Sequence, residues 1–172
     1  GKNFDNERVT SLKIAVYPGS FDPVTCGHLD IIKRSCKVFD KVIVAVLNNS
    51  AKHPLFSVSE RMELIGRCTK DLPNCEVDSF GGLLVDFAKK KNADTVIRGL
   101  RAISDFEYEF QMALLNKKLN PEIETMFMVT SLNCLYISSS VVKEICLYGG
   151  NTQGLIPDEI IEDVKYKMEK EC

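Results

Sequence analysis

The sequence of 172 residues contains no tryptophan and only two histidines, His28 and His53, which excludes a metal site built from several histidines. No apolar run approaches the roughly 18–20 residues that cross a bilayer, and the polar start of the chain shows no signal-peptide pattern. The net charge of −2 provides no basic field for nucleic acid or an anionic membrane. These absences predict a cytoplasmic protein with neither a nucleic-acid nor a membrane partner.

Three motifs of nucleotide sites and hydrolases are also absent. Without G-x-x-x-x-G-K-[ST] the chain is not a P-loop protein, and without G-x-G-x-x-G it has no dinucleotide fingerprint. No G-x-S-x-G nucleophile elbow is present. Seven cysteines occur at scattered spacings with no C-x-x-C pair. We therefore expect reduced thiols that pack as small hydrophobic side chains, not a disulfide framework or a zinc site.

Short apolar runs alternate with amphipathic segments along the chain. One such segment repeats apolar residues at helical spacing, at Leu29, Ile32, Cys36 and Phe39. This alternation predicts an α/β fold: a doubly wound, five-stranded parallel sheet of the Rossmann-like kind, followed by C-terminal helices. The predicted strands are 12–17, 41–47, 75–80, 94–98 and 124–130.

No linker, repeat or low-complexity tract divides the chain. Its length and its hydrophobic content of 45% suit one compact domain, which we expect to span residues 12–172. The polar residues 1–11 begin without a methionine, and we expect a flexible arm or a remnant of an expression vector there. Parallel sheets bind ligands where loops leave the carboxyl ends of strands, so the site is predicted in those loops.

The loop after the first strand, YPGSFDPVTCGH at 17–28, contains two glycines and two prolines, which give it an unusual backbone. Gly19 provides a tight turn with open backbone amides, two prolines stiffen the loop, and Gly27 allows close approach at the helix start. His28 falls in the first helical turn, where unpaired N–H groups and the helix dipole favour an anion. A phosphate-binding histidine and a plain surface histidine both remain open for this position.

A second candidate loop follows the fourth predicted strand. Arg98 and Arg101 flank Gly99, and arginine forks suit phosphate groups while glycine lets the backbone approach. The alternative is a solvated charge cluster in which the arginines pair with acidic neighbours such as Asp105 or Glu109. Two arginines at the carboxyl end of a strand favour the phosphate site.

Two further loops complete the pattern. The serines of ISSS, residues 137–140, open a helix and either cap it or present hydroxyls to a phosphate. Lys52 follows the second strand and is either a surface lysine or a cation of the site. Four loops on one sheet that each contain groups able to bind an anion predict a polyphosphate ligand.

The motifs resemble those of a known family. TCGH at 25–28 fits the [HT]-x-G-H signature of the nucleotidyltransferase superfamily, and ISSS fits its second signature. YPGSFDPVTCGHLDII, IRGLRAISDFEYEFQMALLN and YISSSVVKE resemble bacterial phosphopantetheine adenylyltransferases, nearly collinearly from about Lys13 to about Lys167. The block RGLRA…DFEYE selects this family over its relatives. The resemblance implies the nucleotidyltransferase version of the Rossmann-like fold.

The resemblance also implies an activity. That family makes dephospho-coenzyme A and pyrophosphate from ATP and 4′-phosphopantetheine, reversibly, in the penultimate step of coenzyme A biosynthesis, with Mg²⁺ bound mainly through ATP. It implies a cytoplasmic homohexamer and names coenzyme A as a candidate feedback ligand. The acceptor phosphate is already anionic, so in-line attack on the α-phosphorus needs no general base and no covalent intermediate.

Site residues follow from the same resemblance. His28, Lys52 and Arg101 would be catalytic and would spread positive charge around the transferring group, with no side chain serving as a metal ligand. Phosphopantetheine would be held by Ser20, Lys52, Leu84 and Arg98. The implied ATP-binding residues are Ser20, Phe21, His28, Gly99, Leu100, Arg101, Glu109, Cys134, Leu135, Tyr136, Ile137, Ser138, Ser139 and Ser140.

Some positions depart from the family pattern, and other functions stay open. Cys26 stands where a polar residue is usual, and Cys134 stands where an aromatic residue often contacts the nucleotide. The alternatives are a related nucleotidyltransferase, acting on nicotinate mononucleotide or glycerol phosphate, and a nucleotide- or coenzyme-A-binding regulator without turnover. An RNA-binding synthetase fragment is disfavoured because the chain has no basic stripe.

Overall fold

The fold is built around one parallel sheet with helices on both faces. The computed structural model describes residues 11–49 and 53–171. Its elements are β1 (Ile14–Gly19), α1 (Cys26–Val38), β2 (Lys41–Leu47), α2 (Val58–Thr69), β3 (Cys75–Phe80), α3 (Leu84–Lys90), β4 (Thr95–Leu100), α4 (Ile103–Leu119), β5 (Glu124–Val129), α5 (Ser139–Leu147) and α6 (Ile161–Glu171), with 3₁₀ turns at Leu132–Cys134 and Asp158–Ile160. The strand order is β3-β2-β1-β4-β5, and every neighbouring pair is parallel. This confirms the predicted doubly wound, five-stranded sheet.

Two strands lie later in the chain than the sequence predicts. β1 covers 14–19 where 12–17 was predicted, and β4 covers 95–100 where 94–98 was predicted. Gly19 still pairs with Val46, and Leu100 still pairs with Val129. The strands thus continue through glycine and arginine residues, which a search for apolar runs does not assign to a strand.

β1 and β4 separate at their carboxyl ends. They pair only at Ala15 with Thr95 and at Val16 with Val96, whereas β1 stays paired with β2 as far as Gly19. Strand order reverses between β1 and β4, and crevices at such reversals are where open α/β sheets bind ligands. The separation therefore opens a crevice at the predicted location of the site.

Alternate residues of the central strands are buried in two layers. Val42, Val44 and Val46 join a core with α1, α2, α5 and α6, while Ile43 and Ala45 join a second core with α3. Side chains of a strand point alternately to its two faces, so β2 can be apolar throughout because both of its faces are covered. The two layers hold the first loop and its helix on a rigid base.

α4 differs from the other helices because many of its apolar side chains are open to solvent. Phe106, Phe110 and Leu114 are 42%, 48% and 56% exposed. In the described part of the chain, no helix is both long and apolar enough to cross a membrane. The predicted arm at 1–11 lies, apart from Ser11, outside the described residues, so the predicted domain boundaries stay a prediction.

Candidate active site

Two adjoining cavities open at the carboxyl ends of the strands. The first, about 290 Å³, is lined mainly by the first loop, α1, β4 and the start of α5, and is called the polar cavity here. The second, about 820 Å³, lies between α3 and α4 beside the end of β1 and is called the apolar cavity. The two cavities share a wall made of Pro18, Gly19, Ser20, Arg98 and Glu109. Ligands in the two cavities would therefore meet at the end of β1.

A strained turn shapes the first loop. Phe21 has φ +48°, in the left-handed region that a bulky side chain rarely adopts. Its ring is 2% exposed, and a Cβ atom at Gly19 would lie 3.0 Å from Phe21 Cζ. Gly19 is thus the residue that leaves room for the Phe21 ring beneath the loop.

His28 is fixed by a capping box at the start of α1. Thr25 Oγ1 accepts the His28 N–H at 3.2 Å, and His28 Nδ1 accepts the Thr25 N–H at 3.1 Å. The imidazole also packs edge-on against Phe21, with ring centroids 5.0 Å apart. Since Nδ1 is an acceptor, the neutral ring carries its proton on Nε2. His28 lines the polar cavity, and its Nε2–H is the group that can donate to a ligand there.

The surroundings keep His28 neutral. Burial, and to a lesser extent the charges of Arg101 and Arg98, together lower its pKa from 6.5 to about 4. The sequence predicts that His28 spreads positive charge around the transferring group. In the unliganded protein the imidazole is instead an uncharged hydrogen-bond donor, because two guanidinium groups and the cavity wall oppose its protonation.

Arg98 is held by a bidentate ion pair in the shared wall. Its Nε and Nη2 atoms each donate to a Glu109 carboxylate oxygen at 2.7 Å, and Nη1 donates to Pro18 O at 3.1 Å. Burial opposes the charge of Arg98, but Glu109 outweighs it and raises the pKa of Arg98. The contact with Pro18 joins β4 to β1 across the place where the strands have separated.

Arg101 and the start of α5 form the far side of the polar cavity. Arg101 Nη1 donates to Ile137 O at 3.2 Å, and its Nε lies 3.4 Å from Asp105 Oδ2. Ser138 caps α5 by accepting the Val141 N–H at 3.2 Å. Arginine and the unpaired N–H groups of a helix start both attract anions, so this side suits phosphate groups.

The carboxylates of the polar cavity are engaged with arginine. Asp105 and Glu109 line it, and each is ion-paired, with Arg101 and Arg98 respectively. Within the described ranges 11–49 and 53–171, no three His, Cys, Asp or Glu side chains are grouped to hold a metal ion. Mg²⁺ keeps several waters and is commonly held through substrate phosphates.

The structure brings most of the predicted site residues together. The predicted ATP-binding residues that line the polar cavity are Ser20, Phe21, His28, Gly99, Arg101, Glu109, Cys134, Ile137, Ser138 and Ser139. The predicted acceptor-binding residues that line the apolar cavity are Ser20, Leu84 and Arg98. Those that line neither are Leu100, Leu135, Tyr136 and Ser140. Lys52 lies outside the described residues.

Three buried residues in or beside the first loop are not among the site residues predicted from the sequence. Asp22, Thr25 and Arg61 are 5%, 1% and 3% exposed. The spacing Thr25-x-x-His28 is that of a capping box and could have revealed Thr25. Arg61 gives no local signal, because it reaches a carbonyl 41 positions away along the chain.

Cys26, the unusual residue of the first motif, has a structural setting. It is the first residue of α1, its N–H donates to Leu155 O at 2.9 Å, and its side chain packs against the core. Burial, with a smaller contribution from the neighbouring Cys134, raises the pKa of its thiol to about 11. Cys26 thus ties α1 to the segment before α6 and is a thiol, not a thiolate, at neutral pH.

Comparison with known proteins identifies the family. A family model described as cytidylyltransferase-like matches residues 16–145. The phosphopantetheine adenylyltransferase of Clostridium tetani is 63% identical over 153 residues, 89% of this chain and 96% of that protein. The chain belongs to the phosphopantetheine adenylyltransferases. A second member, from Caldanaerobacter subterraneus, is 60% identical over 159 residues, 92% of this chain and 99% of that protein. The predicted family and the predicted enzyme class, a nucleotidyltransferase, are confirmed.

Comparison with a solved structure supports the fold. A crystal structure from Vibrio parahaemolyticus, assigned as a nicotinate-nucleotide adenylyltransferase, superposes with a TM-score of 0.67. The match covers 90% of this chain and 99% of that chain at 17% identity. Similarity at this level confirms the nucleotidyltransferase fold and carries no information on the substrate.

The protonation state of His28 provides a direct test of the site geometry. We expect the His28 ring to titrate with a midpoint near pH 4 and, at pH 6, to carry its proton on Nε2. Between about pH 4 and 6.5, His28 binds more protons in the unfolded chain than in the folded protein. The contribution of His28 therefore makes the free energy of unfolding fall as the pH drops through this window.

Long-range ¹H–¹⁵N NMR spectra of the imidazole nitrogens measure both quantities. Because the chain has two histidines, a His53→Gln variant leaves the signals of His28 alone. A midpoint above pH 6, or a proton on Nδ1 at pH 6, would contradict the capping box described above.

Proposed function

We propose that the polar cavity binds the phosphates of ATP, the apolar cavity binds the arm of 4′-phosphopantetheine, and the adenylyl group passes to the acceptor phosphate where the cavities meet. The shared wall at Pro18–Ser20 carries this proposal, because it joins a cavity rich in phosphate-binding groups to a large apolar one. The family's name supplies the chemistry of the reaction. The products would be dephospho-coenzyme A and pyrophosphate.

The chemistry needs positioning more than acid–base catalysis. A phosphate acceptor is anionic at neutral pH, so its oxygen attacks the α-phosphorus without losing a proton to the protein. Ser139 lines the polar cavity, but its hydroxyl donates to Pro23 O at 2.8 Å. His28 Nδ1 is likewise occupied by the Thr25 N–H. These contacts support a single in-line displacement without a covalent intermediate.

His28, Lys52 and Arg101 are the proposed catalytic residues. His28 would donate its Nε2–H to an oxygen of the transferring phosphate, and Arg101 would balance negative charge there. The start of α5, at Ser138 and Ser139, would bind further phosphate oxygens. His28 and Arg101 are fixed before the ligand arrives, His28 by Thr25 and Arg101 by Ile137 O and Asp105.

ATP would enter as its Mg²⁺ complex. The ion would be held by phosphate oxygens and water, and it would neutralise part of the phosphate charge. Arg98 and Leu84 would hold the acceptor from the side of the apolar cavity. Coenzyme A contains the same pantetheine arm, which supports it as a feedback ligand. The six cysteines of the described residues are free thiols, which supports a reducing, cytoplasmic location.

The reaction itself is the primary test. Incubation of the protein with ATP, Mg²⁺ and 4′-phosphopantetheine is expected to release pyrophosphate and to form dephospho-coenzyme A, detected by mass spectrometry. Nicotinate mononucleotide and glycerol phosphate are the matched control acceptors. Turnover with either of these and none with phosphopantetheine would refute the acceptor. Binding of nucleotide without any turnover would show a regulator.

His28→Ala tests the transition-state role of the imidazole. We expect kcat to fall by about 10²–10³-fold, as when one donor to a developing charge is removed, while the affinity for ATP changes little. Steady-state kinetics and calorimetric titration of ATP measure the two effects separately. Loss of ATP affinity with unchanged kcat would assign His28 to ground-state binding instead.

We also propose that the chain assembles into a homohexamer through α4 and its surroundings. The exposed apolar side chains of this region are Phe106, Tyr108, Phe110, Met112, Leu114, Leu115, Leu119, Met126, Val129 and Leu132. A concentration of exposed apolar side chains on one helix and the segments beside it is typical of an interaction site. Several of these residues also line the apolar cavity, so assembly would cover one side of the acceptor site.

A single charge in this surface tests the assembly. Leu114 is 56% exposed and lines neither cavity, so Leu114→Glu is expected to split the hexamer because a charge would be buried at the interface. Light scattering after gel filtration should give six times the mass of one chain for the parent protein and a smaller mass for the variant. Gln111→Glu adds the same charge on an exposed position of α4 and serves as the control. A monomeric parent protein, or a hexameric Leu114→Glu variant, would refute this interface.

A further inference from the structure

Arg61 is a buried arginine whose contacts are with backbone rather than with a carboxylate. It lies in α2 and is 3% exposed. Among the residues that the structure describes, no carboxylate oxygen lies within ion-pair distance of its guanidinium. Burial lowers the pKa of Arg61, and the charge of Asp22 opposes this effect. A guanidinium kept charged in such surroundings must have its N–H groups bound by other acceptors.

The acceptors come from three separate segments that converge on the site. Arg61 Nη1 donates to Ser20 O at 2.7 Å, in the first loop, and to Leu47 O at 3.2 Å, at the end of β2. Nε donates to Phe56 O at 3.1 Å and Ser57 O at 3.4 Å, just before α2. A planar fork with five donors binds several carbonyls in fixed directions, so one side chain sets the spacing of these segments.

Asp22 binds the same segment before α2 as an acceptor, whereas Arg61 binds it as a donor. It is 5% exposed, and its Oδ1 and Oδ2 accept the N–H groups of Phe56 and Leu55, each at 2.8 Å. Lys143 Nζ lies 3.1 Å from Oδ2 and balances the charge. The peptide groups of Phe56 are thus bound on both sides, by Asp22 at the N–H and by Arg61 at the carbonyl.

The strained residue of the first loop lies between these two anchors. Phe21, at φ +48°, follows Ser20, whose carbonyl is bound by Arg61, and precedes Asp22. A left-handed conformation at a bulky residue is strained and persists where surrounding contacts over-determine it. Arg61 and Asp22 provide such contacts, one on each side of Phe21.

We infer that Arg61 and Asp22 are positioning residues for adenylyl transfer, which hold Ser20 and Phe21 in the conformation that forms the wall between the two cavities. Ser20 is exposed and lines both cavities. Its carbonyl is occupied by Arg61, so its N–H and hydroxyl are the groups it has for a ligand. The inference rests on the proposed function, since it assigns these residues a role in that reaction.

Arg61→Lys tests the inference, because it keeps the charge and loses the planar fork. We expect kcat to fall by about 10–100-fold, as small misplacements of a positioned group do, while calorimetric affinity for ATP changes little. Arg67→Lys is the matched control. Arg67 lies in the same helix, pairs with Glu63 and Asp163, and lines neither cavity. We expect Arg67→Lys to retain the parent kcat.

A double-mutant cycle separates positioning from mere stability. If Arg61 acts through Ser20, the losses from Arg61→Lys and Ser20→Ala should not multiply in the double variant. Thermal unfolding fixes the folded fraction, and rates are normalised to it. Parent-like kcat in folded Arg61→Lys, or losses that multiply with those of Ser20→Ala, would overturn the inference.

Asp22→Asn keeps the test decisive should Arg61→Lys not fold. It preserves size but replaces one acceptor by a donor that faces a backbone N–H, and we expect the same fall in kcat. Parent-like kcat in a folded Asp22→Asn variant would also overturn the inference. A parent protein that makes no dephospho-coenzyme A would refute the proposed function instead, so the two failures are distinguishable.

Discussion

The separation of β1 from β4 is the constraint on which the site depends. The strands share only two paired positions, ending at Val16 and Val96, and each then follows its other neighbour. The gap leaves backbone groups and side chains facing a crevice, not a sheet partner. Arg98 spans this gap by donating to Pro18 O, and proline has no N–H that would need a partner of its own. Because of the separation, the strand residues Gly19 and Gly99 line the polar cavity.

Among the residues that the structure describes, the charges that line the polar cavity are balanced before any ligand binds. Arg98 is matched by Glu109, Arg101 by Asp105, and His28 is neutral. Pairing of this kind holds arginines in place at little electrostatic cost, because neither charge is left buried alone. It also means that the site attracts anions by directed N–H groups more than by net charge. Such preorganised donors stabilise developing charge without having to move.

The fold was predictable because its pattern is local. Alternating apolar runs and helical periodicity give the order of strands and helices along the chain. Ser20, His28, Arg98 and Arg101 lie at or just after the carboxyl ends of strands, as the pattern predicts. The ends of β1 and β4 were wrong by about two residues, since they depend on partner strands that the local pattern does not reveal. The support behind the loop was not predictable either. Arg61 and Asp22 act on groups that are far away in the sequence, and only the folded chain brings them together.

The burial of Cys26 affects how readily its thiol reacts with disulfides. The proposed acceptor ends in a thiol, and oxidised forms of it are disulfides that exchange with any nearby thiolate. A thiol with a pKa of about 11 is ionised in roughly one molecule in ten thousand at pH 7. Burial of the cysteine within the first motif therefore disfavours mixed-disulfide formation. Burial at the start of α1 thus keeps the sulfur of Cys26 in its less reactive thiol form.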